Sequence, residues 1–260
     1  MLRLSTSDDQ PGRVPQGTAA FEVVERCLEL EIGQRIESIV RPIWPDSRLP
    51  SLIDRWLEQD EPDFVFLRVN GFWFNYESVP LRLERRLGPI GRSVARLGRR
   101  SGEVEWVSRA GVFRALRRGL LRVVGGDTYF TPQQVVDRME QCIRQILRKE
   151  DVQLVVRGTD GRIHSELPRR SARAYALRHR QVNDALRHVC EELHVPYLGG
   201  EEMLDERQVT RRLGADRFHR GEEGHRLAGE EEAEAFLGLW RTLAATVHQT
   251  GMRGTPQRTE

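Results

Sequence analysis

The residues best suited to chemistry lie near the carboxyl-terminal end, in Asp216-Arg217-Phe218-His219-Arg220-Gly221-Glu222-Glu223-Gly224-His225. An aspartate three residues ahead of a histidine, on a loop that runs into a helix, can set a carboxylate against the imidazole. That carboxylate fixes the ring tautomer and stabilises the imidazolium, as the acid of a Ser-His-Asp triad does. The same two residues also suit a helix N-cap and a surface histidine, so position has to decide between the readings. Asp216 and His219 follow the last strand-like run and stand directly before the last helical one, which favours chemistry. His225, nearer that helix, is expected to support its start.

The other candidates point to structure. His179, His188 and His194 are nine and six residues apart, spacings that share no helical face, and His164 stands alone. Cys27, Cys142 and Cys190 are odd in number and widely separated, which argues against a disulfide framework and against a zinc site. No metal and no other cofactor is expected, and the cysteines read as reduced, partly buried thiols.

Composition bounds the rest. The 260 residues are 38% hydrophobic and 31% charged, with a formal net charge of +2, so wholesale disorder is out and a sizeable core is available. No apolar run approaches the roughly 18–20 residues that span a bilayer. The first residues, Met1 to Asp9, show no apolar segment of a secretory signal. The expectation is a soluble cytoplasmic protein. Lys149 is the only lysine among 41 basic residues. Because the arginines are spread over the whole chain, coding bias accounts for them as well as anion recognition does.

The elements that must position these residues follow from periodicity. Leu2–Leu4, Phe64–Val69, Val152–Val156 and Val195–Leu198 read as strands, the middle two continuously apolar as when both sheet faces are covered. Ile36–Ile43 is β-rich, and its prolines disfavour a central strand. Thr18–Leu30, Leu49–Leu57, Ser171–His194 and Gly224–His248 have helical spacing. Phe21, Val24 and Leu28 mark the inner face of the first; Leu227, Ala228, Ala235, Leu239 and Leu243 are available to pack from the last. Strand and helix alternating in this way predict a parallel sheet with helices on both sides. The predicted fold is a single-domain, three-layer α/β/α (flavodoxin-like) arrangement of about five parallel strands over residues 1–250. Residues 82–122, with twelve arginines, form a helical insertion in this reading, and residues 251–260 a disordered tail. The insertion reads as a solvated face; a nucleic-acid or membrane partner is not expected.

The Asp-x-x-His, the Gly224-His225 that follows and the final helix together resemble the last motif block of the SGNH (GDSL-type) hydrolases. That resemblance implies an α/β/α esterase with a serine nucleophile and a small-molecule ester as substrate. In the first block of that family a Gly-Asp-Ser follows the first strand; here Ser5-Thr6-Ser7 stands there, which makes Ser7 the implied nucleophile and Ser5 its register-shifted alternative. In the third block Pro62-Asp63, the strand Phe64–Val69 and Asn70-Gly71 look similar, which makes Asn70 the implied oxyanion donor, with Asn75 as second choice and Phe72–Tyr76 as a wall for an acyl group. The second block departs from the family. Arg41-Pro42-Ile43-Trp44-Pro45-Asp46-Ser47 has no glycine, and Pro45 has no N–H, so a backbone donor there falls to Asp46 or Ser47. By resemblance the catalytic set is Ser7, His219 and Asp216 with Asn70. The alternative is an SGNH-fold protein impaired in catalysis that binds an anionic ligand or partner.

Overall fold

The computed structural model describes residues 1–5, 14–86, 119–121, 123, 125–162, 169–199, 203–214 and 219–252. Five strands, β1 (Leu2–Ser5), β2 (Ile39–Pro42), β3 (Phe64–Arg68), β4 (Gln153–Arg157) and the short Tyr197–Leu198, build one sheet. All neighbours run parallel, in the order β2-β1-β3-β4 and then Tyr197–Leu198. Strand two lies outside strand one and the others follow on the opposite side, the doubly wound order whose ligand crevice opens at the carboxyl edge. Pro42 is tolerated because it ends an edge strand, where a missing N–H breaks no interior ladder.

Helices cover both faces. On one side lie α1 (Ala20–Ile32) and the last helix, Glu222–Met252, packed against each other. On the other lie α2 (Leu49–Asp60), the short α3 (Phe72–Asn75), α4 (Pro132–Ile146) and α5 (Arg169–Glu192), followed in the chain by α6 (Glu206–Arg212) and by the last helix as α7. Local sequence starts these helices where they are needed. Thr131 caps α4 by accepting from the Gln134 N–H while the Gln134 side chain accepts from the Thr131 N–H, and Pro132 occupies the first turn.

The strands alternate their side chains between the two layers. Leu2, Leu4, Val65, Leu67, Leu154 and Val156 join α2, α4 and α5 in one apolar core, whereas Phe64, Phe66 and Val155 meet Val24 and Leu28 of α1 and Ala233 and Phe236 of α7. α1 and α7 approach closely at Gly229, where an added Cβ would stand 2.6 Å from the Val23 Cβ. The inner stripes differ in detail from the periodicity reading. Val23 and Val24 are buried while Phe21 is half-buried, and α7 packs through Ala228, Ala233 and Phe236, leaving Leu243 39% exposed. Cys27, Cys142 and Cys190 are free, and burial pushes the Cys142 thiol up to about 12. Among the described residues no helix is long and apolar enough to cross a membrane. Most of the arginine-rich insertion (87–118, 122) and residues 253–260 lie outside the described residues.

Candidate active site at the carboxyl edge of the sheet

Three neighbouring strands end side by side at the carboxyl edge, and each delivers polar groups there. β1 ends at Ser5, which is fully buried; β3 is followed by Asn70; β4 is followed by Gly158, Thr159 and Asp160. Ser7 and Asp216 lie outside the described residues. Asn70 and His219 are both half-buried.

Asn70 is held by its own turn. Its side-chain carbonyl accepts from the Phe72 N–H at 2.9 Å, an arrangement that starts α3 and settles which end of the amide is oxygen. The NH2 end is then the group left to donate to a ligand. Asn75, the second choice, is 5% exposed; its carbonyl accepts from Arg178 Nε at 3.2 Å, which ties it to α5. In the loop after β2 the Asp46 N–H already donates to the Trp44 carbonyl at 2.8 Å, which leaves Ser47 as the backbone donor of that segment.

His219 reaches the edge through a short antiparallel pairing. Leu213 and Arg220 form a β-bridge, and the Gly214 N–H donates to the His219 carbonyl at 2.9 Å. Arg220, the next residue, fixes the loop to β4. Its Nη2 lies 2.7 Å from Asp160 Oδ2 and its Nη1 3.7 Å from Glu232 Oε1. Burial by itself would raise the Asp160 carboxyl, but the charges of Arg220 and Arg157, the Arg220 hydrogen bond and Arg68 hold it well below the ordinary carboxylate range.

Glu232 of α7 is the centre of this network. It is fully buried, with Oε2 at 2.7 Å from Arg3 Nη2 and Oε1 at 3.5 Å from Arg157 Nη1. Arg157 also meets Glu231 Oε2 at 2.7 Å, and the Arg3 guanidinium lies 4.3 Å from the centre of the Phe66 ring. One carboxylate therefore joins β1, β4 and the His219 loop. Sequence reading missed it, although a signal exists: Glu232 stands four residues from both Ala228 and Phe236, inside the apolar stripe of α7.

A second network, also missed, clamps the loop after β4 from the other side. Asn183 Oδ1 accepts from the Thr159 N–H at 3.0 Å and from the Tyr197 hydroxyl at 2.7 Å, while Asn183 Nδ2 donates to the Thr159 and His179 carbonyls. His179 Nε2 lies 2.9 Å from the Thr159 carbonyl and 3.0 Å from Asn183 Nδ2. Burial lowers the His179 pKa, against the smaller opposing effects of the Thr159 hydrogen bond and the Asp160 and Asp184 charges. The space is tight: at Gly158 a Cβ would collide with the Tyr197 hydroxyl and the Asn183 carbonyl, and at Gly71 it would stand 2.8 Å from Thr159 Oγ1. Thr159 is thus wedged between the turn that carries Asn70 and the helix that carries Asn183.

His225 meets the start of α1: its Nδ1 accepts from the Ala20 N–H at 3.3 Å. A cavity of about 320 Å³ bordered by Ile36, Asp60 and Phe64 opens at the opposite, amino edge of the sheet. Parallel sheets bind their ligands at the carboxyl edge, so this cavity is not the site.

Comparison with solved structures agrees with the fold. A family 3 carbohydrate esterase from Clostridium thermocellum superimposes with a TM-score of 0.50 at 14% identity, over 94% of this chain and 97% of the other. A carbohydrate acetylesterase from Sinorhizobium meliloti gives 0.52 at 11% identity, over 92% and 98%. The chain has the SGNH hydrolase fold. No protein-family profile and no curated protein matches its sequence. Identity this low carries the SGNH architecture and not the activity of either enzyme.

Proposed function

We propose that the protein is a serine-dependent hydrolase of small carboxylic esters. Ser7 attacks the carbonyl carbon while His219 takes the hydroxyl proton; the C–O bond then breaks as His219 returns that proton to the leaving alcohol. Water, activated by the same imidazole, releases the acid and regenerates the serine. Asp216 orients His219, and the Asn70 amide with the Ser47 N–H receives the developing oxyanion.

The observation that carries this reading is the convergence on one sheet edge of the end of β1, an Asn70 amide fixed with its donor end outward, and a His219 loop pinned to β4 through Arg220 and Asp160. Solved proteins that share this architecture include carbohydrate esterases, which is in keeping with it. The test is labelling with a serine-reactive fluorophosphonate and mapping of the modified peptide. Modification at Ser7 that disappears in His219→Ala is the expected result. A folded protein that takes no label would instead favour the binding-module alternative, for which the glycine-free second block is the motivating feature.

A further inference from the structure

The outer face of α5 carries its charges in two blocks. Tyr175, Val182, Leu186 and Val189 turn inward and are buried. On the opposite side Arg170, Arg173, Leu177, Arg180, Asp184 and Glu191 form an exposed stripe at helical spacing, basic over its first half and acidic over its second. Among the described residues Arg169, Arg170, Arg173 and Arg180 meet no carboxylate, and Leu177, between them, is 55% exposed. Arg187 leans back over the Tyr197 ring and meets Asp184 only at 3.8 Å, which leaves the Asp184 side chain 67% exposed.

Neither block suits the helix that carries it. The N-terminal end of a helix is electropositive and its C-terminal end electronegative. The first turn of α5 nonetheless holds Arg169 and Arg170 and no acid, and its last turn holds Glu191 and Glu192 and no base. Other helices of the chain are charged the favourable way: α7 opens on Glu222 and Glu223, and α4 carries Arg144 in its last turn. An arginine-rich composition therefore does not account for α5.

We propose that this face is a two-fold interface with a second copy of the chain, the two α5 helices packed antiparallel. Reversing the helix about a point between Arg180 and Gln181 sets Arg170 opposite the partner's Glu191 and brings Arg173 within a turn of the partner's Glu192. Arg180 lies to one side of the stripe, so its two copies splay apart across the axis and each faces the partner's Gln181. Leu177 comes within a turn of the partner's Arg180, whose methylene stem can cover it. Each end that is wrongly charged for its own dipole then lies beside the oppositely charged end of the other helix, so charge and dipole attract together. A two-fold contact must be self-complementary, and a stripe divided into one basic and one acidic half meets that demand. A nucleic acid or an anionic membrane fits less well, since it would meet the acidic half along with the basic one. One helix pair about 36 Å long buries less than a standard interface, so the dimer is weak and salt-sensitive. Nothing in this inference depends on the hydrolase reading.

Sedimentation velocity of the full chain at about 100 µM tests it. A dimer is expected in about 50 mM NaCl and a monomer in about 500 mM NaCl. Arg170→Glu/Arg173→Glu and Glu191→Arg/Glu192→Arg should each be monomeric at low salt, with circular dichroism as in the parent. Mixed in equal amounts, the two variants are expected to form a one-to-one dimer, because each reversed block then meets its complement in the other chain. A parallel pairing does not give that combination, since the parent would oppose like charges. The milder Arg170→Gln/Arg173→Gln should raise the dissociation constant about tenfold. A parent that is monomeric at low salt overturns the proposal, also where it binds a single-stranded oligonucleotide or phosphatidylserine vesicles instead. So does a dimer that the charge reversals leave intact, or a pair of monomeric variants that stay apart when mixed.

Discussion

The two faces of the sheet are built from the same strands and solve the problem of burial in opposite ways. Toward α2, α4 and α5 the strands present Leu2, Leu4, Val65, Leu67, Leu154 and Val156, an apolar layer. Toward α1 and α7 the alternate residues include Arg3 and Arg157, both nearly inaccessible and both directed at Glu232. The apolar face gains from area removed from water and accepts any well-shaped neighbour. The charged face gains little net free energy from burying ions, since their desolvation offsets most of the attraction. It gives position instead: an ion pair with hydrogen bonds is satisfied in one geometry only, and that geometry sets the His219 loop on β4.

This contrast makes Glu232→Ala the most damaging single change. It would leave guanidinium groups buried without the carboxylate that meets them, a loss of about 3–5 kcal/mol, measurable by denaturant unfolding. Leu67→Ala on the apolar face is the reference, with about 2–5 kcal/mol from lost contacts and a cavity. The two should separate in character. Replacing Arg3 and Glu232 together with apolar residues of similar size is expected to return much of the Glu232→Ala loss, while no second change of charge rescues Leu67→Ala. A charged face that tolerated Glu232→Ala would end the comparison.

Gly158→Ala tests the clamp. An added Cβ collides with Tyr197 and Asn183, and relieving that overlap costs about 1–3 kcal/mol. It should also displace Thr159 and hence both Asn70 and Asp160. Ester turnover is therefore expected to fall further than the stability loss alone explains, a result visible in kcat measured well below the unfolding midpoint.

The smallest effect concerns pH. The His179 pKa is lowered in the folded protein by burial, so the unfolded chain takes up a proton at a pH where the folded one does not. Stability from this residue is then fully present above the unfolded value of about 6.5 and falls as pH drops below it, by at most about 1.4 kcal/mol per pH unit. His179→Gln, which cannot titrate, should flatten that part of the curve. A parent protein whose unfolding midpoint is level between pH 7 and pH 5 would speak against it.

Much of this architecture was legible in the sequence, and the physical reason is that periodicity reports burial. The apolar runs at Phe64 and Val152, the helical spacing from Leu49 and Ser171, and their alternation sufficed for a parallel, doubly wound sheet. What periodicity does not report is partnership. Arg3 and Glu232 read as ordinary polar residues until the fold brings them to 2.7 Å across a separation of 229 positions. His179 and Asn183 likewise look like one turn of a long helix, and only the loop after β4 shows what they hold. The candidate site divides in the same manner: Asn70 and His219 are proposed from motif resemblance, and the groups that fix their positions carry no motif.

The distance along the chain between Arg3 and Glu232 has a consequence for synthesis. A ribosome makes the matching carboxylate 229 residues after Arg3, so β1 spends that stretch of translation with a cation it cannot bury. The apolar partners of β1 on α2 and β3 emerge far sooner, yet the other side of the strand waits. The sheet is therefore expected to close late, as the last helix leaves the exit tunnel, and a nascent chain stalled before α7 should remain sensitive to protease at its first strand.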